Sequence, residues 1–248
     1  MIDLKGVSKI FEHTVALESV DLQIKNEETV ILIGPSGCGK STLLRLIVGL
    51  VEPDQGRIFI DGRLLNSRNL LQFRLKMGYV IQLGGLFPHL TVRKNVTIMA
   101  RHLNWDKRQI LERIYKLADL TRFPLDRLDA YPGELSGGQK QRVSLMRALM
   151  LDPDILLFDE PLAALDPMIR SDLQQDLKHI FRFLKKTVIW VTHDMGEAGY
   201  FNGRIILMRD GCIVQSGMLD TLVRSPADPF VTRFINAQRS PLGIVPGD

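Results

Sequence analysis

Two cysteines in 248 residues, Cys38 and Cys212, are too few for a disulfide framework, and neither belongs to a C-x-x-C pair or a metal-ligand cluster. Both are read as reduced thiols of a cytosolic chain. Aromatic residues are scarce, at 7%, while hydrophobic residues reach 45%. The core must therefore be built from Leu, Ile and Val, as in many α/β proteins. No run of about 18 uncharged apolar residues occurs, which excludes a membrane-spanning helix. The N-terminal stretch MIDLKGVSKIF lacks the cationic and apolar regions of a secretory signal, so a cytoplasmic location is expected. No basic block of five or six residues is present. The net charge of +4 suits an anionic substrate or membrane surface without calling for nucleic acid. Internal repeats, low-complexity segments and heptad runs are missing too.

What is present centres on residues 34–42, GPSGCGKST, a G-x-x-x-x-G-K-S phosphate-binding pattern. The β-branched run Thr29–Ile33 precedes it and apolar residues at helical spacing, 43–50, follow. The motif thus sits between a strand and a helix N-terminus. Gly34, Gly37 and Gly39 let the backbone turn its N–H groups inward into an anion nest, with Pro35, Ser36, Cys38 and Thr42 completing the loop. The positive end of the helix dipole faces the same anion. Lys40 is expected to reach the β- and γ-phosphates of ATP, and Ser41 to offer its hydroxyl to Mg²⁺. Cys38, near Lys40 and a helix N-terminus, is expected to be an activated thiol.

Along the chain, residues 1–33 look like antiparallel strands leading into the loop. Val15, Leu17, Val20, Leu22 and Ile24 carry strand alternation, and Phe11 is either core or a ring for a nucleotide base. Residues 57–60 form a strand with an Asp61-Gly62 turn, 69–76 a helix and 78–81 a short strand ending at Gln82. From about 91 to 151 helical periodicity takes over, with Ile110, Ile114, Leu117 and Ala118 on one face. Residues 155–158 are a buried strand that delivers Asp159 and Glu160 at its end, placed to hold Mg²⁺ and to take a proton from the attacking water. Asp166 and Pro167 open a helix to about Leu184, the strand 187–192 presents His193, and a hairpin closes around Asp210-Gly211.

Leu135-Ser136-Gly137-Gly138-Gln139 resembles the LSGGQ signature of the ATP-binding cassette family, and the match is complete. Phe11 then resembles the family's aromatic A-loop position. Residues 34–42 resemble Walker A, Gln82 the Q-loop glutamine, 155–160 Walker B with the catalytic glutamate, 164–166 the D-loop and His193 the switch histidine. The resemblance implies an α/β fold: a P-loop ATPase core (1–83 and 153–240) with an N-terminal antiparallel β-subdomain, an inserted α-helical subdomain (84–152) and a flexible tail (241–248). It implies an ATPase whose catalytic residues are Glu160, His193 and Lys40, and whose Mg²⁺ is met by Ser41, Gln82 and Asp159. Two copies would pair head to tail, with Ser136, Gly137, Gly138 and Gln139 of one facing the ATP held by the other. Transmembrane permease subunits would be separate chains, placing this one on the cytoplasmic side of the membrane, and a substrate-binding protein would join indirectly. Phe87-Pro88-His89-Leu90 falls where the family docks a permease helix. The stretches GYVIQLGGLFPHLTVRKNV, YPGELSGGQKQRV and LMRDGCIVQSG resemble importers of quaternary-ammonium osmoprotectants such as glycine betaine. Some members of that group carry a C-terminal regulatory pair of domains, which is not expected within these 248 residues. Amino-acid and lipid-trafficking cassettes, and cassettes of DNA repair or translation, are the alternatives.

Overall fold

In the computed structural model, which describes residues 1–82 and 84–238, the strands sort into two sheets. The expected tail, 241–248, lies outside the described residues. The first sheet is antiparallel, in the order β2-β1-β4-β5, from β1 (Ile2–Phe11), β2 (Thr14–Ile24), β4 (Gln55–Ile60) and β5 (Arg63–Leu64). The second has the order β10-β9-β3-β8-β7-β6. Its members are β3 (Thr29–Ile33), β6 (Met77–Val80), β7 (Ile155–Asp159), β8 (Thr187–Val191), β9 (Arg204–Arg209) and β10 (Cys212–Gly217). All of its neighbours pair parallel except β9 and β10, which form the hairpin expected around Asp210-Gly211.

The central strands β3, β7 and β8 read as continuous apolar runs because both faces of the parallel sheet are covered. Alternate residues serve two cores. Val30, Leu32, Leu157, Ile189 and Val191 face α1 (Lys40–Ile47) and the antiparallel sheet. Ile31, Ile33, Leu156, Phe158 and Trp190 face the helices of the other side. Those are α3 (Val92–His102), α4 (Lys107–Leu120), α5 (Gly137–Leu149), α6 (Pro167–Leu184) and α7 (Met195–Phe201). Helix α1 is thereby clamped between two sheets, burying Leu43, Leu44, Leu46 and Ile47 completely. The residues 91–151 contain helices and no strand, as their periodicity implies. Ile114, Leu117 and Ala118 of α4 are buried, with Ile110 at the margin of the same core. The helix expected over 69–76 is one turn shorter, α2 (Leu70–Arg74), and α5 stops two residues short of Leu151. Helices α8 (Leu219–Arg224) and α9 (Pro229–Ala237) close the described chain.

The alternation in β2 breaks between Leu17 and Val20, both buried although three residues apart. The register shows why: Val7 pairs Val20 while Lys9 pairs Leu17, so β2 carries one extra residue. Ser19 takes φ 46° there, and its N–H is met by the Ser8 hydroxyl at 2.9 Å. This bulge returns the apolar face to the core on both sides of the irregularity.

Behind β8, Trp190 packs against Phe158, Phe181 and Phe201 with ring centroids 5.0, 6.1 and 4.5 Å apart. Its indole N–H donates to Glu197 Oε2 at 3.0 Å, and Glu197 is only 4% exposed. Burial pushes the Glu197 carboxyl above its ordinary 4.5, more than the bonds from Thr192 and Trp190 pull it down. The unfolded chain therefore loses this proton at lower pH than the folded one, and stability falls as pH rises from about 4.5 toward the folded value. We expect Glu197→Gln to be more stable than the wild type at neutral pH and to lose that part of the pH dependence, read as urea midpoints from pH 4 to 7. Trp190→Phe keeps an aromatic ring but takes away one of the two donors to Glu197, and should cost about 1–3 kcal/mol.

Candidate functional site

Three neighbouring strands deliver the chemistry to one edge of the parallel sheet. The phosphate-binding loop follows β3, Asp159 ends β7, and His193 lies two residues past β8; β8 pairs with both β3 and β7. The carboxyl ends of parallel strands are where open α/β sheets handle ligands. The edge is stitched together by backbone bonds: Thr192 N–H donates to Leu32 O at 3.1 Å, and Glu160 N–H to Val191 O at 3.1 Å.

The loop itself is shaped by contacts from β2 of the antiparallel sheet and from the turn between β9 and β10. Gly39 caps α1 at φ 104°, and a Cβ there would lie 2.4 Å from the Ala16 carbonyl oxygen, so only glycine fits. Cys38 N–H bonds Pro35 O at 3.3 Å, and Cys38 O accepts from Gly211 N–H at 3.2 Å. No side chain caps the N-terminus of α1, as is also true of the short helices α2 and α8, whereas Thr91, Asp106, Ser136, Asp166, Asp194 and Asp228 cap α3, α4, α5, α6, α7 and α9. The first N–H groups of α1 are thus left to face an anion. Lys40 is 4% exposed, and its ammonium donates to Gly34 O at 2.8 Å and Pro35 O at 2.9 Å. It lies folded over the nest whose phosphates it is expected to meet.

Cys38 corrects the expectation of an activated thiol. It is 4% exposed and packed in the core under the loop, and desolvation raises its pKa despite the pull of Lys40. Proximity to a cation and a helix N-terminus is outweighed by burial.

Ser41 Oγ donates to Asp159 Oδ1 at 2.7 Å, and Tyr79 of β6 donates its hydroxyl to Asp159 Oδ2 at 3.2 Å. Asp159 is 7% exposed. Tyr79 was not singled out by sequence, because a Tyr in a short apolar strand reads as core. Only the β6–β7 register, pairing Tyr79 with Leu157, sets it beside the carboxylate. Burial, then the charge of Asp159, push its phenol up to about 12, so it stays a donor. A hydroxyl and a carboxylate this close are hard oxygen donors of the kind Mg²⁺ takes from protein, the remainder of its octahedron coming from phosphates and water. Among the described residues no group of three or more His, Cys, Asp and Glu could cage a metal by itself.

Glu160 leaves the strand in the left-handed region, φ 45°, unusual for a side chain with a Cβ. Its Oε2 lies 3.4 Å from His193 Nδ1, and His193 is largely exposed. Gln82 is exposed two residues beyond β6. Phe11 ends β1 on the other sheet, 41% exposed, with Lys9 stacked 5.4 Å from its ring centre.

The signature stands apart from this cluster. Ser136 caps α5 in a reciprocal box: Ser136 Oγ accepts from Gln139 N–H at 3.3 Å and Gln139 Oε1 from Ser136 N–H at 3.0 Å. Ser136 and Gly137 are exposed, while Gly138 is buried. A Cβ on Gly138 would come 2.6 Å from Ile169 Cγ2 of α6, so a side chain here would have to push Ile169 aside. Among the described residues no hydrogen bond joins 136–139 to the phosphate-binding loop.

The ABC transporter family profile matches residues 17–163. The chain belongs to the ABC transporter family. It is 44% identical over 240 residues to the glycine betaine/carnitine/choline transport ATP-binding protein OpuCA of Bacillus subtilis, covering 96% of this chain and 63% of that one. It is 41% identical to the glycine betaine uptake system ATP-binding protein YehX of Escherichia coli, covering 98% and 79%. The chain thus spans about 63% of the length of OpuCA. The solved dimer of an ATP-binding cassette in a post-hydrolysis state, bound to ADP and Pi, is 35% identical and superposes with a TM-score of 0.79 over 88% of this chain and 99% of that one. The α/β cassette fold implied by the motifs is therefore shown.

The burial of Cys38 has a direct readout. We expect thiol titration of the native protein to modify half-exposed Cys212 first, and Cys38 only slowly or after denaturation. A Cys212→Ser variant that still titrates one thiol rapidly would contradict this placement.

Proposed function

We propose that this chain is the ATP-hydrolysing, nucleotide-binding subunit of an importer for quaternary-ammonium osmoprotectants, working through separate permease subunits. The observation that carries the reading is the convergence of the uncapped α1 loop, the Ser41–Asp159 pair and the Glu160–His193 pair on one sheet edge. The names of the relatives support the cargo class, and the dimeric cassette with ADP and Pi supports both hydrolysis and pairing. In this reading the core is 1–83 and 153–240 and the helical subdomain 84–152. The cassette sits at the cytoplasmic face of the membrane against its permease, and among the described residues no helix is long and apolar enough to cross a membrane.

The α1 N–H groups and Lys40 hold the ATP phosphates, with Phe11 against the base. Ser41 and Asp159 would hold Mg²⁺, with Gln82 at its margin; bound there, the ion would neutralise charge on the β- and γ-phosphates. Tyr79 fixes the Asp159 carboxylate through its second oxygen. Glu160 accepts the proton of the attacking water, and the left-handed backbone at 160 swings its carboxylate off the strand toward His193. His193 approaches the γ-phosphate. The exposed Ser136 and Gly137, with Gly138 and Gln139 shaping the helix start behind them, meet the ATP of a second copy through another helix N-terminus.

Glu160→Gln keeps the side chain's shape but cannot take a proton. We expect hydrolysis to fall about 10²–10⁴-fold with ATP binding intact, and the variant to gather as an ATP-bound dimer on size exclusion with Mg-ATP. Lys40→Ala should lose nucleotide affinity and dimerisation together. A well-folded Glu160→Gln protein with wild-type turnover would refute the assignment. Phe87 is 42% exposed, with the Arg147 guanidinium 6.0 Å from its ring, which suits a docking residue better than a core one. Phe87→Asp should therefore leave ATP binding intact and weaken co-purification with the permease; misfolding of the variant would assign Phe87 to the core instead.

A further inference from the structure

Helix α9 ends beside His193, and Gln238, the residue that caps its C-terminus, grips that segment twice. Gln238 Nε2 donates to His193 O at 2.6 Å, and Gln238 Oε1 accepts from Met195 N–H at 3.0 Å. The two bonds fix the orientation of the amide, since a flipped carboxamide would set oxygen against oxygen and N–H against N–H. The partners are not incidental. Met195 is the first residue of α7, whose opening N–H groups have no partner within the helix. Asp194 caps the next one, Gly196 N–H, at 2.7 Å and leaves Met195 N–H to Gln238. The His193 carbonyl sits at the root of the side chain that approaches Glu160.

Gln238 can act as a clamp because the helix that carries it is anchored. Asp228 caps α9, and Val231 and Ile235 are buried in the core shared with β8 and α7. Arg209 at the end of β9 stacks 4.8 Å from the Phe230 ring and lies 3.7 Å from Asp228. The parallel sheet thus reaches His193 by two routes, through β8 directly and through β9, α9 and Gln238.

We infer that Gln238 is a positioning residue for His193: by holding the peptide groups on either side of Asp194 it sets the direction in which the imidazole leaves the sheet edge. This rests on the proposed ATPase reading, in which His193 must meet the γ-phosphate. Both bonds are solvent-exposed and compete with water, so the effect is graded rather than absolute.

The test is Gln238→Ala beside Gln238→Leu, which keeps the bulk and removes both bonds, in the full chain. Two readouts are needed. Histidine ring signals in carbon-13 NMR of the nucleotide-free protein report His193 apart from the other four histidines. Steady-state ATP hydrolysis separates kcat from KM. Both variants are expected to shift or broaden the His193 signal alone, and to lower kcat about three- to tenfold with KM for ATP within about twofold. An unmoved His193 signal, an unchanged kcat, or restoration of wild-type behaviour by Leu would each overturn the inference. A moved His193 signal in a protein whose wild type hydrolyses no ATP would support the structural link and sink the ATPase reading instead. A drop in melting temperature with kcat unaltered would assign Gln238 to packing and overturn it as well.

Discussion

The Asp159 carboxylate is the point at which the distant parts of this chain are made to agree. It is almost wholly buried, and a buried carboxylate without partners costs several kcal/mol. Its two oxygens are taken by Ser41 from the first turn of α1 and by Tyr79 from β6. The helix that carries the phosphate nest, the edge strand that leads to Gln82 and the strand that carries Glu160 are therefore tied at one group. Any shift of α1 or β6 that opened a bond would leave charge in a low-dielectric setting. The same constraint keeps Ser41 and Asp159 together as a pair of oxygens.

Much of the architecture was legible in the residues because several levels agreed. Thr29–Ile33, the glycine loop and the apolar spacing after Ser41 each point to strand, turn and helix, and the structure has them in that order. The apolar strands at 155–158 and 187–191 could be placed for the same reason, and so could the helical face of α4. The cassette motifs fixed the family. What stayed hidden depends on which residues become neighbours across the fold. The bulge at Ser19 is a property of the β1–β2 register. Tyr79 meets Asp159 only through β6–β7 pairing. Cys38 looked reactive from its neighbours in sequence, but its environment is set by core packing under the loop. Gln238 lies 45 residues from the carbonyl it holds, just past the end of a helix with no motif of its own.

The parallel sheet also explains how helices on one face can matter to a site on its edge. Its strands alternate between two cores, so neither face can rearrange without moving residues whose neighbours pack on the other. On the helical side this includes Gly138, seated so close to Ile169 of α6 that a side chain there would have to displace it. The start of α5 is thereby indexed to α6, which begins at the Asp166 cap just beyond Glu160. The exposed face of the signature is carried on a surface whose position the core decides.

The left-handed backbone at Glu160 has a meaning for the history of the molecule. A residue with a Cβ held near φ 45° gives up about 1–2 kcal/mol that glycine would not, and asparagine would give up less. The position also places a second carboxylate directly after a buried one. Random substitution scored for thermal resistance alone would thus enrich Gly or Asn at 160, and every such winner would have discarded the carboxylate. If Glu160 is the general base proposed above, the chain bears that folding cost for the sake of the carboxylate.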